Sequence, residues 1–453
     1  METDVARRPM ETPIADFVGR YAQSGTARFH MPGHKGTPFL GCEPFDITEI
    51  GGAGELYDAD AESIIGRSER NAAALFGAAQ TCYVTEGSSQ CIRAMVYLAL
   101  SARPTGTPPL ILAGRNAHRA LLYAAALCGA EIAWLWPEER ESLCRCTVAP
   151  RGLRRALDAA PTPPAAVWLT SPDYLGGRAD IPALAEVCRE FHVPLLVDNA
   201  HGAYLRFLKP SQHPLDLGAD MCCDSAHKTF PVLTGGAYLH IRRGARFARS
   251  RTDAKTALAL FGSTSPSWLT LASLDMCNRY LSDGYESRLS DTIARLDALR
   301  ETLRRGGWAV EESDPLRLTL RGDTARMTER LRGAGVEWEY ADRDFLVLMA
   351  TPENAPRDFE RVSDALGVND APAVPPPVLP LAKAETALAP RKALFAPRER
   401  VKVEDAVGRI CAAPLVSCPP AIPVVASGER VPADAPPLFD YYQIREIDVV
   451  RET

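Results

Sequence analysis

No apolar run in this 453-residue chain approaches the length of a membrane span, because charge, Pro or Gly interrupts every long hydrophobic stretch. A transmembrane helix is therefore not expected. The first ten residues carry Glu2, Asp4, Arg7 and Arg8 with no apolar segment behind them, so a secretory signal is also not expected, and the anticipated location is the cytoplasm. Paired CxxC motifs are lacking: the 12 cysteines are scattered, with Cys222-Cys223 adjacent and Cys144-Arg145-Cys146 the only other close pair. Disulfides and a metal site are not anticipated on that spacing, and most thiols should be small buried hydrophobes. A basic excess is lacking too, with 51 Lys and Arg against 57 Asp and Glu and a net charge of −6, which argues against nucleic-acid binding and is compatible with cationic substrates. Internal repeats are absent. What is present, 46% hydrophobic and 24% charged residues, is the composition of a soluble globular enzyme whose length suggests two or three domains.

From Ser68 to about Ile241, helix-like and strand-like segments alternate, the pattern of a mostly parallel sheet covered on both faces. Helices are expected at Ser68 to Gly77, Ser89 to Leu100 and His118 to Gly129. Strands are expected at Thr81 to Thr85, Leu110 to Ala113, Ile132 to Trp136, Ala166 to Thr170, Leu195 to Asp198 and Ala237 to Ile241. Trp268 to Arg305 carries apolar residues at helical spacing and reads as one long helix or a helix pair. Shorter elements follow at Leu316 to Leu320, Thr324 to Leu331, Val336 to Glu339, Phe345 to Met349 and Arg357 to Leu366, the make-up of a small α+β domain. Five prolines between Ala371 and Pro380 mark a linker or surface crossing. The expected division is an N-terminal segment with an active-site loop (1–67), a large α/β domain (68–285), a small α+β domain (286–370), and the proline-rich crossing with the C-terminal part of the small domain (371–453).

Two short runs carry chemistry. Pro194-Leu195-Leu196-Val197 leads into Asp198-Asn199-Ala200-His201, which places a carboxylate where a buried strand ends and a loop begins. Met221-Cys222-Cys223-Asp224 leads likewise into Ser225-Ala226-His227-Lys228, and Thr234-Gly235-Gly236 then turns the backbone toward another strand. A lysine able to form a Schiff base and an aspartate able to hold a pyridinium proton are the two groups that pyridoxal phosphate chemistry requires. Each alone has a plain alternative: a surface lysine after a turn, or an aspartate capping a strand end. Gly87-Ser88-Ser89 stands between a strand and a helix, where backbone N–H groups and hydroxyls meet a phosphate or simply cap the helix. His30 and His34 are four apart, but Pro32-Gly33 between them forbids the helix that would pair them as metal ligands; an active-site loop competes there with a structural turn.

Taken with Phe29-His30-Met31-Pro32-Gly33-His34-Lys35-Gly36, Asp46-Ile47-Thr48-Glu49, Glu86-Gly87-Ser88-Ser89, Arg115-Asn116-Ala117-His118-Arg119, Ser263-Thr264-Ser265-Pro266-Ser267 and Cys418-Pro419-Pro420-Ala421-Ile422-Pro423, the chain resembles the Orn/Lys/Arg decarboxylases in their short form. The resemblance runs over nearly the whole chain. It implies the fold of the aspartate aminotransferases, with a seven-stranded, mostly parallel sheet between helices and a smaller α+β domain. It further implies pyridoxal 5'-phosphate as cofactor and decarboxylation of arginine, lysine or ornithine to the corresponding amine. By resemblance, Lys228 bonds the cofactor, Asp198 faces its ring nitrogen, His118 stacks on the ring, and Gly87, Ser88, Ser89, Ser225 and His227 meet its phosphate. Ala200 and His201 lie near the ring, and Lys228 or His227 returns the proton after carbon dioxide leaves. His30, His34 and Lys35 belong to a loop at the substrate, and Ser263 and Thr264 approach the phosphate of a partner subunit. The implied assembly is a homodimer with shared active sites, or a higher oligomer. Its partner is a small amino-acid substrate, with no nucleic acid and no membrane involved.

The chain departs from that pattern at Asn199, where an acidic residue is usual, at Arg119-Ala120 in place of Lys-Ser, and at Ala421 in place of glycine. An aminotransferase or lyase on the same scaffold, or a cofactor-binding homologue without turnover, remains the alternative. The residues that receive the substrate's distal cation are open, with Glu49, Glu55, Asp58 and Asp60 as candidates by location.

Overall fold

Runs of four or five apolar, β-branched or aromatic residues bounded by turns form the strands of the main sheet, as in Ala166–Thr170 and Leu195–Asp198. The structure is a computed structural model describing residues 9–24, 47, 54–138, 142–160, 162–369, 379, 383–414 and 420–452. In chain order, α1 (Pro13–Gln23) and α2 (Ile64–Phe76) precede β1 (Gln80–Val84), α3 (Ser88–Ser101), β2 (Leu110–Gly114), α4 (Arg119–Cys128), β3 (Glu131–Leu135) and α5 (Pro150–Ala159). Then come β4 (Ala166–Thr170), α6 (Ile181–Glu190), β5 (Leu195–Asp198), α7 (Pro214–Leu217), β6 (Met221–Asp224), α8 (Ala226–Thr229), β7 (Ala237–Ile241), α9 (Arg251–Ala259), α10 (Trp268–Ser282) and α11 (Tyr285–Arg305). The remainder comprises β8 (Ala309–Val310), β9 (Arg317–Arg321), α12 (Thr324–Gly333), β10 (Tyr340–Ala341), β11 (Phe345–Met349), α13 (Pro356–Leu366), β12 (Glu385–Thr386), α14 (Pro390–Leu394), β13 (Arg398–Lys402), β14 (Cys411–Ala413), β15 (Glu429–Arg430), α15 (Pro436–Tyr441) and β16 (Glu446–Val450).

The main sheet has seven strands in the order β1-β7-β6-β5-β4-β2-β3. β2 runs parallel to β3 and β4, and β4 to β5, whereas β7 is antiparallel to both β6 and β1. The mostly parallel seven-stranded α/β sheet expected from the sequence is thus present. β5 and β6 are buried at every position, as suits strands covered on both faces. Polar side chains start several helices by accepting an otherwise orphaned N–H: Ser63 from Gly66, Asp180 from Ala183, Ser267 from Thr270 and Asp323 from Arg326.

Two compact units make up the chain, one formed by the chain up to Leu98 with Gly202–Arg288, the other by Ala99–His201 with the chain from Leu289 onward. In the first, Phe76, Phe207, Phe230 and Tyr285 interlock edge to face, with centroids 5.1 to 6.4 Å apart. The buried Glu69 accepts from the Tyr83 N–H and pairs with Lys255 at 2.6 Å and with Arg251. In the second, the small sheet β10-β11-β9-β8 closes a core of Leu318, Leu320, Met327, Leu331, Leu346 and Leu366. A further sheet, β13-β16-β14, packs Cys411, Ile447 and Val449 with Phe345 and Val347.

Trp268 to Arg305 resolves into the helix pair α10 and α11, broken at Asp283-Gly284. Val336 to Glu339, expected as an element of its own, is irregular. The ladder with β11 begins at the bond from Glu339 N–H to Val347 O, so the strand is the two-residue Tyr340–Ala341. Trp338 lies instead under the guanidinium of Arg332, 4.8 Å from its ring centre. The proline-rich crossing lies outside the described residues except for Leu379. All ten described cysteines are free thiols, and eight are buried.

Candidate active site

In the first unit the turn after β1 and the turn before β7 are tied together. Gly87 N–H donates to Gly235 O at 2.7 Å, and both glycines take left-handed φ values, +73° and +97°. A Cβ on Gly235 would lie 2.4 Å from Thr85 O, so that position accepts only glycine. α3 starts at Ser88, whose Oγ accepts from Ser225 Oγ at 2.9 Å. Two of the expected phosphate-binding hydroxyls therefore meet at a helix N-terminus, where free N–H groups and the helix dipole favour an anion. Among the described residues, no side chain or non-adjacent backbone comes within 4 Å of where a Gly87 Cβ would stand, so the backbone there faces open space.

Ser225 also opens α8, the single turn that carries His227 and Lys228. Lys228 N–H donates to Ser225 O at 3.0 Å, and His227 N–H donates to Gly236 O at 3.2 Å. His227 Nδ1 lies 3.0 Å from the same Gly236 carbonyl and donates to it, which leaves Nε2 as the ring's proton-accepting atom. Burial holds this imidazole below its ordinary value, against the Gly236 hydrogen bond, and Lys228 adds to the lowering. Both side chains are half-buried. Ser263 is tied to the turn after β1: its N–H donates to Glu86 Oε1 at 2.6 Å, and it is exposed along with Thr264. Ser89 follows Ser88 in α3.

In the second unit Asp198 closes β5, 4% exposed, and its Oδ1 accepts from Ala200 N–H at 3.2 Å. His201, also buried, meets the Tyr174 ring edge to face at 5.1 Å. His118 caps α4: its Nδ1 accepts from Ala120 N–H at 3.1 Å, which places the proton of the neutral ring on Nε2. Its neighbour Arg119 donates N–H to Ala421 O at 2.9 Å.

His30, His34 and Lys35 lie outside the described residues, as do Asp46, Thr48, Glu49, Cys418 and Pro419. Asp58 and Asp60, considered for the distal cation, serve local turns by accepting from Asp60 N–H and Glu62 N–H.

Some residues here were given no role from the sequence. Tyr174 follows the end of β4, donates to Glu339 at 2.7 Å and meets Tyr340 edge to face at 5.2 Å. The strand-end rule that marks Asp198 after β5 marks Tyr174 after β4 equally well. Asp173 beside it accepts from Leu175 and Gly177 N–H, and burial pushes its carboxyl up to about 6 against the pull of Arg145. Arg115 is almost fully buried; it donates to Pro423 O at 2.8 Å and Val424 O at 2.7 Å and lies over Trp134 and Trp136. No local sequence signal announces its partner, Glu429.

The model of the Orn/Lys/Arg decarboxylase major domain matches residues 12–323, and that of the family's C-terminal domain matches residues 376–448. The chain belongs to the Orn/Lys/Arg decarboxylase family. Among curated proteins it is 30% identical to the uncharacterized protein YaaO of Bacillus subtilis, over 93% of this chain and 92% of that one. It is 28% identical to an arginine decarboxylase of the same organism, over 93% and 91%. Among solved structures, the Francisella novicida lysine decarboxylase LdcF matches with a TM-score of 0.81 at 14% identity, over 97% of this chain and 81% of that one. The E. coli constitutive lysine decarboxylase matches at 0.78 and 16% identity, over 97% and 82%. The structural likeness covers nearly the whole chain. Among the described residues no helix is long and apolar enough to cross a membrane.

Proposed function

We propose that the chain is a pyridoxal-phosphate-dependent decarboxylase that converts a basic amino acid, arginine, lysine or ornithine, to its amine and carbon dioxide. The observation that carries the reading is the Ser88–Ser225 hydroxyl pair at the start of α3, with Lys228 on the turn that Ser225 opens. The residues fit the cofactor: an open, glycine-bounded helix N-terminus suits its phosphate, and Lys228, one turn past the Ser225 that bonds Ser88, suits its aldehyde. When bound, pyridoxal phosphate supplies the electron sink that accepts the pair left on the α-carbon as the carboxylate departs.

The protein's part is to bind, orient and move protons. Lys228 would hold the cofactor through its Nζ and give way to the substrate amine. Asp198, ordered by the Ala200 N–H and buried at the end of β5, would hold the cofactor's ring-nitrogen proton, and His118 would offer its flat face to the ring. Lys228 Nζ, or His227 Nε2 once it has taken up a proton, delivers the proton that replaces the carboxyl group. Burial, which favours the neutral ring, makes the protonated imidazole ready to give that proton up. Ser263 and Thr264, exposed beside Glu86, are offered to a second copy in a homodimer with shared sites.

Arginine is the first substrate to try, since curated relatives 25 to 28% identical are named arginine decarboxylases. Purified, cofactor-loaded protein incubated separately with arginine, lysine and ornithine should yield one dominant amine by mass spectrometry. A keto acid from any of them would move the assignment to transamination, and absence of any amine from fully loaded protein would overturn it.

A further inference from the structure

β6 and β7 pair antiparallel with Cys222 opposite His240, and the two-residue period of a strand puts Asp224 on the same face as Cys222. The chain before α7 adds His213 to that face. Cys222, His213, Asp224 and His240 are all 0% exposed. His213 Nε2 lies 3.0 Å from Asp224 Oδ2, His240 Nε2 lies 3.3 Å from the same oxygen, and Cys222 Sγ lies 3.9 Å from His213 Nε2. The His and Asp ligand atoms are all within 4.8 Å of one another. A tetrahedral zinc, with nitrogen and oxygen at about 2.0–2.1 Å and sulfur at about 2.3 Å, sets neighbouring ligand atoms roughly 3.3–3.6 Å apart.

The surroundings seal the contacts of Asp224 with His213 and His240 away from solvent. Phe76 lies 4.4 Å from the His240 ring and 5.6 Å from His213, and Tyr238 lies 5.4 Å from His240, so no water shell is at hand for the carboxylate. His240 Nε2 makes no hydrogen bond of acceptable geometry despite its closeness to Asp224, and His213 Nδ1 has no partner among the described residues. His240 Nδ1 is held 2.8 Å from Thr81 Oγ1, the outer hydrogen bond that typically orients a metal-bound imidazole and turns its other nitrogen inward. A divalent ion with one carboxylate and one thiolate brings the cluster to zero net charge.

We propose that His213, Asp224, His240 and Cys222 form a buried structural zinc site bracing the strand end that leads into Ser225 and Lys228. Asp224 immediately precedes Ser225, so the ion would fasten β6, β7 and the start of α7 beneath the turn of α8. The sequence spacing hides it, because the ligands come from two strands and a loop and match no paired-cysteine pattern.

The test starts from the full-length protein produced in zinc-supplemented medium, with metal measured by plasma mass spectrometry. About one zinc per chain is expected, with a thermal midpoint that falls on chelation and recovers with zinc alone. Cobalt substitution should give visible ligand-field bands and a thiolate charge-transfer band that Cys222→Ser removes. His213→Gln with His240→Gln should lose the metal. Should that variant fail to fold, Thr81→Val keeps all four ligands and should weaken zinc binding roughly 10–100-fold. Sub-stoichiometric zinc with a midpoint indifferent to zinc and chelator would overturn the site and leave a cluster neutralised by a proton. Metal retained undiminished in both the Gln double variant and Thr81→Val would overturn it as well. None of these readouts depends on cofactor binding or turnover, so they stand or fall apart from the proposed decarboxylation.

Discussion

Arg115 and Glu429 face each other 3.6 Å apart, each 1% exposed, and together they hold the segment from Pro420 to Glu429 against the loop that leads to His118. Glu429 also accepts from Ala426 N–H at 2.6 Å, so it fixes the fold of the segment that Arg115 grips. Removing one partner strands the other charge in a dry site, at a cost of about 3–5 kcal/mol. Glu429→Ala is expected to lower stability by that amount in guanidinium denaturation. A double variant with apolar residues at both positions should lose less than the sum of the single changes.

Ala421, in the same segment, sits at φ +57°, a left-handed conformation that penalises any side chain. Its carbonyl accepts the Arg119 N–H, so the strain lies one residue from His118. Ala421→Gly removes roughly 1–2 kcal/mol of strain and returns part of it through the greater freedom of the unfolded chain. A net gain of about 0.5–1 kcal/mol is expected by denaturant titration. A loss of stability would show that the left-handed turn is not what Ala421 adopts in solution.

The sequence made some of this architecture readable and hid the rest for physical reasons. β4, β5 and β7 were located to the residue because each is a short apolar run with turn formers close by. Gly129 marked the end of α4 as clearly. β13, Arg-Glu-Arg-Val-Lys, alternates exposed and half-buried positions and has no apolar signature, so it stayed invisible until β16 paired with it. α5 buries only Leu153 and Leu157 among arginines, too little for periodicity to register. The candidate site residues were legible because they cluster at strand ends in contiguous motifs. Arg115 with Glu429, and His213 with Asp224 and His240, are associations that only the folded chain creates.

Ser88 and Ser225 should act on cofactor affinity and not on the fold. A hydrogen bond to a charged group contributes about 1.5–3 kcal/mol, so Ser88→Ala and Ser225→Ala are each expected to weaken pyridoxal phosphate binding roughly 10–100-fold in fluorescence titration. Lys228→Ala should abolish turnover while retaining reversible binding. Unchanged affinity in both serine variants would move the phosphate away from the start of α3.

Gly235 tests the turn beneath that site. An alanine Cβ would meet Thr85 O at 2.4 Å with φ at +97°, and neither the carbonyl nor the turn yields easily, since Gly87 N–H and His227 N–H bond to Gly235 and Gly236. Gly235→Ala is expected to destabilise the chain by at least about 2 kcal/mol and to lower cofactor affinity with it. A folded variant of wild-type midpoint and affinity would count against the described turn.

Asp275 links stability to pH. Its Oδ2 accepts from Ile14 N–H at 2.8 Å and Ala15 N–H at 3.0 Å at the start of α1, and Ser68 donates to its other oxygen. Burial outweighs these hydrogen bonds and pushes the carboxyl from 3.8 up to about 6. The folded chain therefore binds a proton that the unfolded chain has released between those values. The stability this group contributes is fully present below the ordinary carboxylate value and is lost as pH rises through about 6, on the order of 3 kcal/mol in all. Asp275→Asn keeps an acceptor for the α1 N–H groups and removes the titration. Urea midpoints measured from pH 4 to pH 7 should therefore fall less steeply in the variant than in the parent, and identical slopes would show that Asp275 stays ionised across that range.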